Sequence, residues 1–265
     1  VTGHTGFKGS WLIIWLIKMK ANVLGYSLEP EDNSLFSMIK ESNFACKNVF
    51  NDILNKEKLN KIINEFRPEI IFHLAAQPLV IDSYKNPQKT WETNLLGTLN
   101  LLEANRNVNH KCIIIVITTD KVYKIKDFQN PFKEEDPLGG NDPYSASKAS
   151  AELLVNSWRT SFCGKNPNQN PNLYIATARS GNVIDGGDWG ENRIVPDCIK
   201  HLLRQEKILI RNPNSVRPWQ HVLDCLGGYL ILSEKLFINK KYAQAFNFGP
   251  KKENLKNVED LVNEI

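Results

Sequence analysis

A doubly wound, parallel α/β sheet with a smaller interleaved lobe is the fold class predicted for this sequence of 265 residues. Three observations carry the prediction. Short Val- and Ile-rich runs alternate with segments of helical periodicity over the first two-thirds, as in repeated strand–helix–strand units. Three glycines at a spacing of three separate a strand-like residue pair from an apolar helical run. After Arg179 the pattern changes to clusters of Gly, Asp, Trp, Arg and Pro.

The elements follow in order. Val1-Thr2 reads as the last step of a strand whose beginning lies outside the sequence, and the segment 258–265 as a helix cut before its cap. Strands are expected at Asn22–Tyr26, Asn48–Phe50, Ile70–Leu74, Ile113–Thr118 and Leu173–Ala178, apolar enough to be buried on both faces. Trp11–Ile17 is a buried helix, far short of the ~20 residues that span a bilayer. Leu59, Ile62, Ile63 and Phe66 define a helix closed by Pro68, and Trp91, Leu95, Leu99 and Leu102 define another. Lys124–Asn141 is a long polar loop of the kind that is often functional, and Gly164–Asn172 a surface loop. Beyond Arg179, a helix is expected over Val195–Arg204 and a short strand over Ile208–Arg211. The resulting division is a first domain over 1–182, joined by 219–245, and a second lobe from 183–218 and 246–265, truncated at its end.

Composition narrows the function. The net charge of +4 comes from dispersed basic residues, which suits an anionic small molecule and not a nucleic acid. The five cysteines (46, 112, 163, 198, 225) form no disulfide framework or zinc spacing and read as reduced thiols of a cytoplasmic protein. No metal site and no membrane segment is expected, and no Gly-x-Ser-x-Gly nucleophile motif occurs.

Two motifs carry chemistry. In Gly3-His4-Thr5-Gly6-Phe7-Lys8-Gly9, Gly3 would turn tightly, Gly6 would admit a pyrophosphate to backbone N–H groups, and Gly9 would bring the helix close to the sheet. That is a Rossmann-type dinucleotide site. Tyr144 and Lys148 stand four apart on a predicted helix, so they share a face, and the ammonium is expected to ease ionisation of the phenol. Such a pair suits taking a proton from a sugar hydroxyl while hydride leaves the same carbon. Thr119-Asp120-Lys121 ends a strand 25 residues before Tyr144.

Gly3-x-x-Gly6-x-x-Gly9, His73-Leu74-Ala75-Ala76, Thr93-Asn94, Thr119-Asp120-Lys121, Tyr144-x-x-x-Lys148 and Arg179-x-x-Asn182-Val183 together resemble the extended short-chain dehydrogenase/reductases, the NAD-dependent epimerase/dehydratase family. Gly181–Trp189, Arg193–Asp197 and Arg217–Val222 narrow the resemblance to its CDP-sugar branch. The resemblance implies a nucleotide-sugar dehydration, with CDP-glucose as the expected substrate, bound NAD as cofactor and a homodimer as the assembly. It implies that Tyr144 takes the C4 hydroxyl proton and that Lys148 holds the nicotinamide ribose. Thr119 would bond the C4 oxygen, and Asp120 would deliver a proton to the departing C6 hydroxyl.

Lys121 stands where dTDP-glucose and GDP-mannose dehydratases carry a glutamate base. It would act either as a base neutralised by burial or as a charged stabiliser of the enolate. Ser27 replaces the usual acidic ribose ligand, with Glu29 two residues late and Lys8 the nearby cation for a 2′-phosphate, and NAD is preferred over NADP. Gly3, Gly6, Phe7, Lys8, Gly9, Asp52, Ile53, Leu74, Ala75 and Ala76 complete the expected cofactor site. Asn182, Arg193, Arg211 and Arg217 are the expected substrate residues, the arginines as forks for a diphosphate. His4 and His221 are expected to be structural. A 4-epimerase shares Tyr144 and Lys148 but has no use for Asp120-Lys121, and a non-catalytic dinucleotide-binding protein is the alternative outside enzymes.

Overall fold

The structure, a computed structural model, describes residues 1–40, 46–125 and 131–265. Lys126–Asn130, within the long polar loop expected from the sequence, lie outside the described residues.

The chain enters through Thr2, which bridges Tyr26 on one side and His73 on the other, both in parallel. It therefore lies between β1 (Leu24–Ser27) and β3 (Ile70–His73), as the last step of a strand should. β2 (Lys47–Phe50) flanks β1, and β4 (Cys112–Ile117) and β5 (Leu173–Ser180) follow β3. The order across the sheet is β2, β1, Thr2, β3, β4, β5 and then β9 (Ala245–Phe248), with every pair parallel. Adjacent parallel strands need crossovers, and helices supply them: α1 (Phe7–Lys18), α2 (Leu35–Lys40) and α3 (Lys56–Phe66), then α4 (Val80–Lys85), α5 (Pro87–Trp91) and α6 (Gly97–Ala104), then α7 (Pro143–Phe162).

β4 shows why its sequence is uniformly apolar. All six residues are at most 4% exposed. Ile114 and Val116 pack with Leu101, Leu102, Val155 and Trp158 on one face, while Ile113, Ile115 and Ile117 pack with Leu12, Leu226 and Tyr229 on the other. Alternation disappears because both faces are core. α1 buries Leu12 and Ile13 completely, whereas Trp11 and Trp15 are half-buried, so the apolar run is more a wedge than a buried rod.

The remaining elements are small. β6 (Val183–Ile184) pairs with β8 (Gln220–His221), and β7 (Val216–Arg217) with β10 (Lys256–Asn257). α8 (Ile194–Leu203) and α10 (Val258–Asn263) touch each other, and α9 (Val222–Ile238) returns to cover the β4–β5 face.

Two expectations need correction. Ile208–Arg211 is irregular, with Leu209 85% exposed. A strand needs a partner, and in this lobe β10 pairs with β7 instead. The helix around Trp91–Leu102 is interrupted by a π-helical turn over Glu92–Leu96, which an apolar period cannot signal. The helix expected over Leu59–Phe66 does end before Pro68, at Phe66, with Arg67 in a left-handed cap conformation (φ 51°).

Candidate active site

Five of the segments singled out leave the carboxyl end of a strand, the edge where open α/β sheets bind ligands. The glycine turn follows Thr2, Asp52 follows β2, Leu74–Ala76 follow β3, Thr119–Lys121 follow β4, and Gly181-Asn182 follow β5.

The glycine turn is built for close approach. Gly3 has φ +72°, and a Cβ there would lie 2.6 Å from the Ala75 amide nitrogen. At Gly9 a Cβ would lie 2.1 Å from the Gly3 carbonyl oxygen and 2.7 Å from His4 Cα. Gly9 therefore lets α1 pack on the turn itself, where the sequence suggested the sheet. α1 opens at Gly6 with no capping side chain and no acidic residue in its first turn. Free N–H groups and a bare positive dipole end fit a diphosphate.

The other cofactor candidates divide. Asp52 is exposed and caps the Leu54 amide at 2.9 Å. Ile53 turns into the core against Gly97, which leaves its backbone, not its side chain, for a ligand. Ser27 bonds Thr5 at 2.8 Å. Lys8 is not a 2′-phosphate ligand at β1, because its ammonium donates to Ser180 Oγ (3.2 Å) and Tyr229 Oη (3.3 Å) at the end of β5. His4 is fully buried, bonds Asn48 and stacks near Phe50, a packing role as expected.

α7 starts sharply because Asp142 accepts from the Ser145 amide at 2.9 Å and Pro143 occupies the first turn. Its inner face presents Tyr144, Ser147, Lys148 and Glu152. Asn94, in the π-helical turn, donates to Ser147 (2.9 Å) and to the Gln77 carbonyl (3.1 Å) and accepts from the Gln77 amide (2.9 Å). It fastens the loop after β3 to α7.

Lys148 donates to the Ile117 carbonyl at 3.2 Å, at the end of β4. Burial, and then the charge of Lys8, bring its ammonium down to about 8 against the upward pull of Glu152. Burial pushes the Tyr144 phenol up to about 12; the nearby Thr119 hydroxyl and Arg193 lower it, whereas Asp120 and Asp142 raise it. The expected lowering of the phenol by Lys148 is thus not the governing effect. The two side chains share a helix face, yet the ammonium is drawn to the strand end while the phenol loses its water.

Asp120 lies 3.1 Å from the Lys121 ammonium and accepts from Thr119 Oγ1 at 3.2 Å. A Cβ on Gly181 would lie 2.9 Å from its other oxygen, so only glycine leaves room for this carboxylate. Lys121 is 39% exposed at its side chain, and the burial that its role as a neutral base would require is absent.

The second-lobe candidates are placed unevenly. Among the described residues, the Asn182 side-chain oxygen is enclosed without a hydrogen-bond partner. Arg193 donates from one terminal nitrogen, Nη1, to both oxygens of Asp188 at 2.7 Å each, and its charge lowers the Tyr144 phenol slightly against burial. Arg211 and Arg217 are exposed, the latter donating to its neighbour's carbonyl at 2.8 Å. His221 caps α9 and pairs with Asp185 at 2.7 Å, a structural role.

Sequence reasoning missed Glu152. It is 2% exposed, accepts from Thr118 and from Thr177 (2.8 Å), and pairs with Arg179 at 2.8 Å. Arg179 continues to Tyr123 (2.8 Å), which donates to Asn247. The available signal was spacing: Glu152 continues the four-residue step from Tyr144 and Lys148 along one helix face.

A dinucleotide cradle at a parallel sheet's carboxyl edge, beside a Tyr–Lys helix, defines the extended short-chain dehydrogenase/reductase class. The family described as GDP-mannose 4,6 dehydratase matches residues 1–240, and the chain belongs to it. The CDP-glucose 4,6-dehydratase of Salmonella typhimurium is 43% identical over 100% of this chain and 74% of its own length. The dTDP-D-glucose 4,6-dehydratase of Dictyostelium discoideum is 33% identical over 91% of this chain and 56% of its own. Among solved structures, UDP-glucose 4-epimerase from Thermotoga maritima, with UDP-glucose, superposes with a TM-score of 0.80 at 26% identity, covering 99% of this chain and 79% of that one.

Proposed function

We infer that the protein dehydrates CDP-glucose to CDP-4-keto-6-deoxyglucose, as an NAD-dependent carbon–oxygen lyase. The observation that carries the reading is the convergence of Tyr144, Lys148, Thr119, Asp120 and Lys121 on one strand edge beside a glycine cradle. The 43% identity to a CDP-glucose 4,6-dehydratase across the whole chain supports the substrate.

NAD, held by Gly3, Gly6, Phe7 and Gly9 with the backbones of Lys8, Ile53 and Leu74–Ala76, would supply reversible hydride acceptance. Tyr144 Oη would take the C4 hydroxyl proton, and Thr119 Oγ1 would bond the same oxygen. Because burial raises the phenol, Tyr144 needs the cationic surroundings of Lys148 and Arg193 to act as a base. Asp120, at the mouth and within reach of solvent, would hand a proton to the departing C6 hydroxyl. Lys121, paired and exposed, suits the electrostatic role: it would stabilise the enolate formed when C5 gives its proton to water at the exposed mouth, and hydride returned to C6 would complete the 4-keto-6-deoxy sugar. Asn182 Oδ1 and the forks of Arg193, Arg211 and Arg217 would take the sugar and its diphosphate.

The Asp120–Lys121 pair favours dehydration over 4-epimerisation, which moves no proton at C5 or C6. A homodimer is part of the same reading: Tyr84 and Leu96, on the helical segments beside α7, and Leu153 on α7 are all at least 45% exposed. A cytoplasmic location fits the free cysteines.

The test is mass spectrometry after mixing the protein with NAD and, separately, CDP-, dTDP-, GDP- and UDP-glucose. Loss of one water from CDP-glucose alone is expected. Interconversion of glucose and galactose without mass change would assign an epimerase, and no change with any sugar would leave a binding protein.

A further inference from the structure

His73 ends β3 one residue before the Leu74–Ala76 segment of the cradle, yet its side chain is 2% exposed and faces the protein. It bonds two buried hydroxyls. Thr2 Oγ1 lies 2.7 Å from its Nδ1, and Thr98 Oγ1 lies 3.1 Å from its Nε2. A histidine between two neutral hydroxyls is a packing residue unless those hydroxyls lead somewhere. Here both do.

The outer bonds decide which ring nitrogen carries the proton. Thr98 Oγ1 donates its single hydrogen to the Asn94 carbonyl at 2.7 Å, so toward the ring it can only accept. His73 Nε2 is therefore a donor. On the other side, Thr2 Oγ1 accepts from the Ala75 amide at 3.3 Å and has its own hydrogen left for Nδ1. The neutral Nε2–H tautomer thus satisfies every donor of the chain. An imidazolium would donate from both nitrogens, and the buried Thr2 hydrogen would lose its acceptor. Burial, and after it the charge of Lys148, also favour the neutral ring, bringing its pKa down to about 3.

The chain continues from both ends. Ala75 lies against the glycine turn: a Cβ on Gly3 would lie 2.6 Å from the same amide nitrogen that bonds Thr2. At the far end, the Asn94 carbonyl belongs to the π-helical turn Glu92–Leu96, and a threonine bonding four residues back bends a helix. The Asn94 side chain donates to Ser147 Oγ at 2.9 Å, and Ser147 donates to the Tyr144 carbonyl at 2.8 Å. Every hydroxyl on the path donates toward Tyr144, so the bonds reinforce one another. We propose that His73 is a positioning residue: locked as the Nε2–H tautomer, it joins the cradle at Ala75 to the π-helical turn that seats Tyr144, so one hydrogen-bonded chain sets both halves of the site. The proposal rests on the reading of the cradle and of Tyr144 given above.

The test reads the ring directly, without turnover. Protein carrying 15N-labelled histidine is followed by NMR from about pH 8 to about pH 5, and the His73 signals are assigned by their loss in His73→Asn or His73→Gln. A protonated Nε2 and a bare Nδ1 are expected throughout. An Nδ1–H form, a mixture of tautomers or an imidazolium in that range would overturn the proposal. The coupling is read as NAD affinity, followed by fluorescence. Thr98→Val keeps the shape but removes the hydroxyl and is expected to weaken NAD binding about tenfold, whereas Thr98→Ser, which keeps the chain, stays within about twofold of wild type. Thr2→Val cuts the bond on the other side of the ring and must weaken NAD as Thr98→Val does. Unchanged affinity in either folded valine variant would sink the proposal, as would an equal loss in Thr98→Ser. A wild-type protein that binds no NAD would instead remove the cofactor reading, and the ring signals alone would then decide the chain.

Discussion

The edge of the sheet that carries Tyr144 and Lys148 and the lobe that carries Arg211 and Arg217 are built differently. On the sheet side, Thr119, Tyr144 and Lys148 are buried, and their backbones are fixed by β4, by α7 and by the Asn94 and Glu152 contacts. On the lobe side, β7 has both residues exposed and α10 buries none of its side chains. Thr119, Tyr144 and Lys148 are held by core packing, whereas Arg217 stands on a two-residue strand and Arg211 in an irregular segment. If the proposed roles hold, substitutions on the packed edge and on the sparsely packed rim should fail in different ways.

The largest effect is expected from Gly9→Ala. Its Cβ has no room beside the Gly3 carbonyl and His4 backbone. The turn must then shift or the protein unfold, a loss of about 3 kcal/mol or more, visible as a collapsed urea midpoint. Tyr144→Phe comes next and is confined to chemistry: turnover should fall on the order of 1,000-fold while NAD binding, followed by fluorescence, persists.

Lys148→Met sharpens the contrast, because it should abolish turnover and stabilise the fold together. Folded Lys148 binds its proton less tightly than the unfolded residue, with a pKa near 8 against 10.5. The wild type should therefore gain stability as pH rises from about 8 to 10.5, and the variant should lack that slope. At neutral pH the variant should be more stable by up to about 3 kcal/mol, measured by urea unfolding across the pH range. The smallest structural effect belongs to Arg217→Ala, an exposed rim position. Stability should change by less than about 0.5 kcal/mol, while KM for the nucleotide sugar rises roughly tenfold as one charge-assisted contact is lost. A large stability loss there would erase the distinction between edge and rim.

Much of the edge was legible in the sequence because each of its signals is local. The apolar run Ile113–Thr118 needs no partner to announce a doubly buried strand, and Asp142-Pro143 announces the start of the helix that bears Tyr144. The rim was less legible. Ile208–Arg211 has a strand-like composition and no strand beside it, and the π-helical turn that presents Asn94 leaves the apolar period intact. Glu152 reads as one more acid on a helix until Thr118, Thr177 and Arg179 are found around it.

Taken alone, the amino-acid sequence determined the alternation of strands and helices, the glycine turn, and the chemical types gathered for the reaction. These rest on periodicity, on backbone freedom and on side-chain chemistry, all of which act over a few residues. Only the tertiary structure decided which charges face one another. It sent Lys8 to Ser180 and Tyr229 instead of a phosphate, paired Lys121 with Asp120, and let burial rather than Lys148 govern the Tyr144 phenol. Electrostatic energies depend on distance and solvent exposure between groups remote in sequence, and those are fixed only when the sheet and its two layers of helices close around them.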